Sequence, residues 1–214
     1  MEKIYFLGGE YIEKRDSERI NRKAFVDAGG APAVLVFLWA RETVDKADPK
    51  RKLIVNYFKD IGAGKVEFAE PTNSMKKIAE KIDSSDLIYL PGGNTKILVE
   101  RLKKAKVTDL LKKYDKIIVG NSAGAQALCK KYIGMKGKHD RTSTEVSQGL
   151  GFVNFGIVAH YDISYDKELK SLSERINMKI YAIPERSVLV YDTEDIKFLG
   201  SSYLFYKGEK TKCN

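Results

Sequence analysis

The chain has 214 residues, 43% of them hydrophobic, enough for a sizeable core in one α/β domain spanning residues 1–214. Its 38 Lys and Arg against 29 Asp and Glu leave a formal charge of +9. The basic pairs Lys76-Lys77, Lys103-Lys104, Lys112-Lys113 and Lys130-Lys131 are scattered among acids rather than gathered in one stripe, which argues against a nucleic-acid partner. The longest apolar runs, such as 31–40, are about half the length of a bilayer span, which argues against a membrane partner.

Strand and helix patterns alternate from the start. Residues 3–7 form a β-rich run ending in Gly8-Gly9. Ser17 is placed to cap a helix through Ala28, closed by Gly29-Gly30. A second strand is expected over 33–38, then a helix opened by Asp48-Pro49 and ended by Gly62. A third strand covers 65–69, and Asn73 or Ser74 caps a helix through Ile82. A fourth strand, 86–90, runs into Pro91-Gly92-Gly93-Asn94-Thr95 and a helix to about Lys103, followed by a short helix over 107–113. A fifth strand, 116–119, feeds Gly120-Asn121-Ser122-Ala123-Gly124. This repeated order predicts an α/β fold of three layers, with a mostly parallel sheet and helices on both faces. Beyond Tyr132 the pattern changes: 134–148 is a polar surface excursion, 152–159 a strand, and 179–183, 187–191, 196–199 and 203–206 short strands expected to extend the sheet antiparallel.

The segment most charged with chemistry is Gly120-Asn121-Ser122-Ala123-Gly124. Gly-x-Ser-x-Gly between a strand and a helix presents a serine on a sharp turn as a nucleophile. The usual base is histidine, and the chain has two, His139 and His160. His139 sits in a polar stretch with no strand to fix it. His160 ends an apolar strand, where ligand sites of open α/β sheets lie, and is the preferred base. Glu185, in a turn between two strands, is the first choice for the acid that orients it, with Asp162 and Asp140 as competitors. The expected oxyanion donors are the N–H groups of Ala123 and Gly93. Asn94, Thr95 and Asn121 are the expected substrate-binding residues, the alternative for the Gly92-Gly93 loop being a plain turn capped by Asn94 or Thr95. Two histidines and two distant cysteines, Cys129 and Cys213, lack metal-ligand spacing, and no cofactor is expected. The two cysteines do not make a disulfide framework, and the first residues lack the plan of a signal peptide, so a reduced, cytoplasmic protein is expected. An α/β-hydrolase esterase also uses Gly-x-Ser-x-Gly, but its histidine comes late, and here none follows His160. A non-catalytic binding or regulatory protein on such a fold is the other alternative.

These segments together resemble peptidase family S51, the dipeptidase E family, within the class I glutamine-amidotransferase-like superfamily. The resemblance is carried by Phe6-Leu7-Gly8-Gly9, Leu90-Pro91-Gly92-Gly93-Asn94-Thr95, Gly120-Asn121-Ser122-Ala123-Gly124-Ala125, Gly149-Leu150-Gly151-Phe152, His160-Tyr161-Asp162 and Ile183-Pro184-Glu185-Arg186-Ser187. It implies an amidotransferase-like α/β fold with a Ser122-His160-Glu185 triad and hydrolysis of small peptides, dipeptides with an N-terminal aspartate among them. The partner would be a small peptide substrate, handled by a monomer or homodimer. Arg141 and Arg186 are the nearest candidate cations for an aspartyl side chain, and 134–147 the segment expected to shape specificity.

Overall fold

Along the first strand, side chains alternate between two separate cores: Ile4 and Phe6 join one, Tyr5 and Leu7 the other. A strand buried on both faces sits inside a sheet covered on both sides. The computed structural model describes residues 3–136, 143–193 and 195–213. Its elements in chain order are β1 (Lys3–Leu7), α1 (Glu18–Asp27), β2 (Ala33–Val36), α2 (Pro49–Asp60), β3 (Lys65–Phe68), α3 (Met75–Asp83), β4 (Leu87–Leu90), α4 (Thr95–Lys104), α5 (Thr108–Lys113), β5 (Ile117–Asn121) and α6 (Ala123–Leu128). They continue with β6 (Lys131–Gly134), β7 (Glu145–Gln148), β8 (Gly156–Ala159), α7 (Asp166–Ile176), β9 (Ile180–Ile183), β10 (Val188–Asp192), β11 (Asp195–Leu199), β12 (Ser202–Tyr206) and β13 (Glu209–Cys213).

The main sheet has seven strands in the order β11-β10-β1-β5-β4-β2-β3. From β1 to β3 the strands are parallel, while β10 and β11 add antiparallel at the other edge. Helices α1 and α2 cover one face through Ile20, Phe25, Ile54 and Phe58. Helices α3 to α6 cover the other through Ile78, Leu98, Leu102, Leu111 and Leu128. The three-layer arrangement is the expected one. Local signals act where they stand: Asp48 accepts the Lys50 N–H with Pro49 at the first helical position, and Ser74 rather than Asn73 caps α3. Ser17 occupies the cap position of α1 without making a side-chain cap bond.

The later strands depart from the expectation of one extended sheet. Only β10 and β11 lengthen the main sheet; β9, β12 and β13 join β8 in a second, four-stranded sheet, β13-β12-β9-β8. Here β8 and β9 run parallel, with Ala159 opposite Ile183. Their crossover is α7, whose Leu169 and Leu172 pack with Ile133, Val158, Ile180 and Phe205 in a third core. The polar excursion is in part a hairpin, since β6 pairs antiparallel with β7.

Candidate active site

The parallel strands β1, β5 and β4 lie side by side, so their carboxyl ends meet at one rim of the sheet. Leu7 is opposite Asn121 and Leu90 opposite Gly120, which brings Gly8-Gly9, Ser122 and Pro91-Gly92 together. Ser122 stands between β5 and α6 at φ 50° and ψ −102°. A non-glycine residue in such backbone costs roughly 1–3 kcal/mol and persists only where its surroundings hold it. Here the Ser122 N–H donates to the Leu7 carbonyl (3.0 Å), and the Ser122 carbonyl accepts from Gln126 N–H (2.9 Å). Both flanking glycines are required by close approach. A Cβ on Gly124 would stand 2.0 Å from the Leu90 carbonyl oxygen, and one on Gly120 would stand 2.7 Å from the Ala125 nitrogen.

His160 follows β8 directly, and Glu185 follows β9, two strands paired in parallel, so the second sheet delivers both side chains to one place. His160 Nε2 lies 2.8 Å from Ser122 Oγ, and His160 Nδ1 lies 3.1 Å from Glu185 Oε1. A carboxylate on Nδ1 fixes the tautomer that leaves Nε2 free to accept the serine proton. The histidine backbone is itself left-handed, at φ 52°. It is held by His160 N–H to the Gly8 carbonyl (2.6 Å) and Tyr161 N–H to the Ile183 carbonyl (3.1 Å). Gly9 makes room for the ring, since a Cβ there would lie 2.4 Å from His160 Cε1.

Of the competing acids, Asp162 accepts from the Ser164 N–H (2.9 Å) and hydroxyl (2.6 Å). Asp140, His139 and Arg141 lie outside the described residues. Tyr11 donates its hydroxyl to Glu185 Oε1 at 3.4 Å, and the Glu185 charge holds that hydroxyl's pKa above the usual tyrosine value.

A cavity of about 210 Å³ opens beside Ser122, lined by His160, Gly92, Gly93, Asn121, Glu10 and Lys50 among others. Gly92 faces the nucleophile: a Cβ there would lie 3.5 Å from Ser122 Cβ. A Cβ on Gly93 would instead meet the Ala40 carbonyl oxygen at 2.3 Å, so its bare backbone serves packing at the cavity edge. Ala123 is the buried first residue of α6, where helical N–H groups lack an i−4 acceptor. Asn121 is buried and accepts the Glu10 N–H at 3.1 Å.

Two expected substrate-binding residues are placed elsewhere. Asn94 caps α4, accepting the Ile97 N–H at 3.2 Å, and Thr95 is buried with its hydroxyl on Gln126 Oε1 at 2.7 Å. Asn94 thus serves the start of its own helix and Thr95 ties α4 to α6, because the loop turns straight into α4, and neither is among the cavity's lining residues. Arg186 is also outside this cavity. It lies 3.8 Å from Asp16 and lines a second depression with His160, Tyr161, Asp162, Pro184 and Glu185.

The residues that sequence reading passed over are Glu10, Lys50 and Tyr89. Glu10 follows the Gly8-Gly9 pair at the end of β1, and only the adjacency of β1 to β5 makes that position part of the site. No helix among the described residues is long and apolar enough to cross a membrane.

Comparison with known proteins agrees with this architecture. A structure of a peptidase from an acI-B1 Actinobacterium superposes with a TM-score of 0.72 at 15% identity, covering 100% of this chain and 94% of that one. A candidate peptidase E protein of Listeria monocytogenes superposes with a TM-score of 0.66 at 20% identity, covering 93% and 98%. At those identities the likeness is one of fold. An uncharacterized peptidase of Listeria monocytogenes is 30% identical over 105 residues, 46% of this chain, so the match spans about half (51%) of that relative's length. The family model for peptidase family S51 matches residues 8–199, from the glycine pair behind His160 to the last strand of the main sheet, and the chain belongs to that family.

Proposed function

We propose that the protein is a serine peptidase acting on small peptides, dipeptides with an N-terminal aspartate being the substrates to test first. The observation that carries this reading is the relay from Ser122 Oγ to His160 Nε2 (2.8 Å) and from His160 Nδ1 to Glu185 (3.1 Å). Membership of a peptidase family supports it. His160 takes the Ser122 proton as Oγ attacks the peptide carbonyl, and Glu185 stabilises the resulting imidazolium. The Ala123 and Gly93 N–H groups receive the oxyanion. His160 then protonates the departing amine, leaving an ester on Ser122 that water hydrolyses by the same route reversed. Asn121 supports the cavity floor through its bond to the Glu10 backbone. Among the described lining residues Lys50 is the one ammonium, and it suits a substrate carboxylate better than Arg186 does.

Peptide chemistry is tested with a panel of Asp-X, Ala-X, Glu-X and β-aspartyl-X dipeptides beside longer peptides. Release of X from Asp-X, at a kcat/KM above that of the rest of the panel, is the expected result. Turnover of p-nitrophenyl esters with no peptide cleaved would move the reading to an esterase. A folded protein inert to all of them would favour a binding protein.

A further inference from the structure

A carboxylate on the wall of a cavity beside a nucleophile needs a reason, because burying charge is costly unless it is matched. Glu10 is such a group. One oxygen accepts the Tyr89 hydroxyl at 2.5 Å, and the other accepts Asn21 Nδ2 at 2.7 Å. Its backbone N–H is held by Asn121, the residue before Ser122. These three partners come from β4, α1 and β5, and Asn21 is itself buried and bonded to the Tyr57 hydroxyl of α2 (2.8 Å). The carboxylate is therefore held directly by β4 and α1, with its backbone held by β5 and Asn21 braced by α2.

The named partners of its oxygens are neutral donors, which orient a carboxylate without cancelling its charge. Each carboxylate oxygen can accept twice, so each keeps capacity for a further donor beyond its named partner. Burial, the largest influence, raises the Glu10 pKa above the ordinary glutamate value, with Asp16 acting in the same direction; the Tyr89 and Asn21 bonds and the Lys50 charge oppose it. Lys50 lines the same cavity but is 3.6 Å from Glu13.

We propose that Glu10 is the receptor for the free α-ammonium group of the substrate, which makes the enzyme read the amino terminus of the peptide it cleaves. This rests on the serine-peptidase reading for its consequence. Proximity favours this cation over a basic side chain, because Glu10 and Ser122 line one cavity of about 210 Å³. An α-nitrogen is only about 2.5 Å from the carbonyl carbon of its own residue, two bonds away. A lysine ammonium lies several bonds further out. Glu10 and Ser122 share one small cavity and are joined through Asn121, so they fit the ends of a single residue. The cleavage they would produce is removal of one N-terminal amino acid, with the chain beyond it leaving past His160.

The test is binding to the Ser122→Ala protein by calorimetry, with Asp-Leu, N-acetyl-Asp-Leu and N-acetyl-Lys-Leu as probes. Asp-Leu is expected to bind at least 30-fold more tightly than its N-acetyl form. That preference is expected to fall within threefold in Ser122→Ala/Glu10→Gln. Equal binding of the free and acetylated peptides, or binding of neither, would overturn the proposal without reference to any Glu10 variant. So would tighter binding of N-acetyl-Lys-Leu, which would give Glu10 to a basic side chain. A preference that survives Glu10→Gln in a protein with unchanged melting temperature would also overturn it. Amine-selective binding by Ser122→Ala, alongside a wild type that hydrolyses no peptide, would leave the amine receptor standing and remove the serine-peptidase reading.

Discussion

At the residue scale, the site depends on two side chains held in backbone conformations that few residues adopt. Ser122 and His160 both have φ near +50°, and both are held there by hydrogen bonds to the chain just after β1 or at its end. The sequence makes the serine legible because Gly120 and Gly124 announce the turn, each needed for a backbone contact that a Cβ would block. The histidine is legible from its position at a strand end. Glu185 was legible only as one of three acids. Its selection comes from the parallel pairing of β8 and β9, which a single sequence does not display. The Glu185 side chain retains 37% of its exposure. A buried triad acid contributes about 10⁴-fold to kcat in the chymotrypsin template. Solvent screens an exposed one, so Glu185→Gln is expected to lower kcat/KM by only about 10- to 100-fold. A loss as complete as that of His160→Ala, measured on the same dipeptide, would show that the acid does more than orient and stabilise the ring.

At the element scale, the three side chains of the proposed relay are divided between two sheets. Ser122 belongs to the main sheet through β5, while His160 and Glu185 belong to the second through β8 and β9. The join is the segment after β1. Gly8 donates to the Ser187 carbonyl (3.0 Å) and accepts from His160, and Gly9 accepts from Arg186 N–H (3.1 Å). Gly9→Ala therefore tests alignment rather than chemistry. Its Cβ would stand 2.4 Å from His160 Cε1, displacing a ring that moves more cheaply than backbone. Misplacing a catalytic group by about 1 Å costs on the order of 100-fold. The expected result is a drop in kcat of that size with KM little changed, together with a lower melting temperature, since Gly9 stands at φ 157°, where an L side chain is strained. Unchanged kcat would mean the ring is not held against β1. The βα alternation of residues 3–121 was readable from periodicity and caps, because each unit is built locally. The split of the C-terminal strands between two sheets was not readable. Short strands with tight connections have the same sequence pattern whichever sheet they join, and the choice is made by long-range packing around α7.

At the scale of the whole molecule, an aromatic column holds the two sheets in register. Phe155 contacts Phe6 of β1 (centroids 5.6 Å apart), Tyr181 of β9 (4.9 Å) and Tyr191 of β10 (6.1 Å). Truncating a buried phenylalanine costs about 3–5 kcal/mol. Phe155→Ala is expected to destabilise the protein by about that much in denaturant titration. Peptide hydrolysis should be lost below the new melting temperature, because the Ser122 to His160 distance depends on the join. Activity that persists up to global unfolding would show that the sheets are registered by other contacts.

The central claim is that Ser122 is a nucleophile activated by His160. The direct measurement is labelling of the purified protein with an uncharged fluorophosphonate, with the adduct located by peptide mass spectrometry. The account predicts one adduct, on Ser122, formed by wild type and absent from Ser122→Ala and His160→Ala proteins that keep the wild-type melting temperature. A folded wild type that remains unlabelled, or that is labelled equally after His160→Ala, would contradict it.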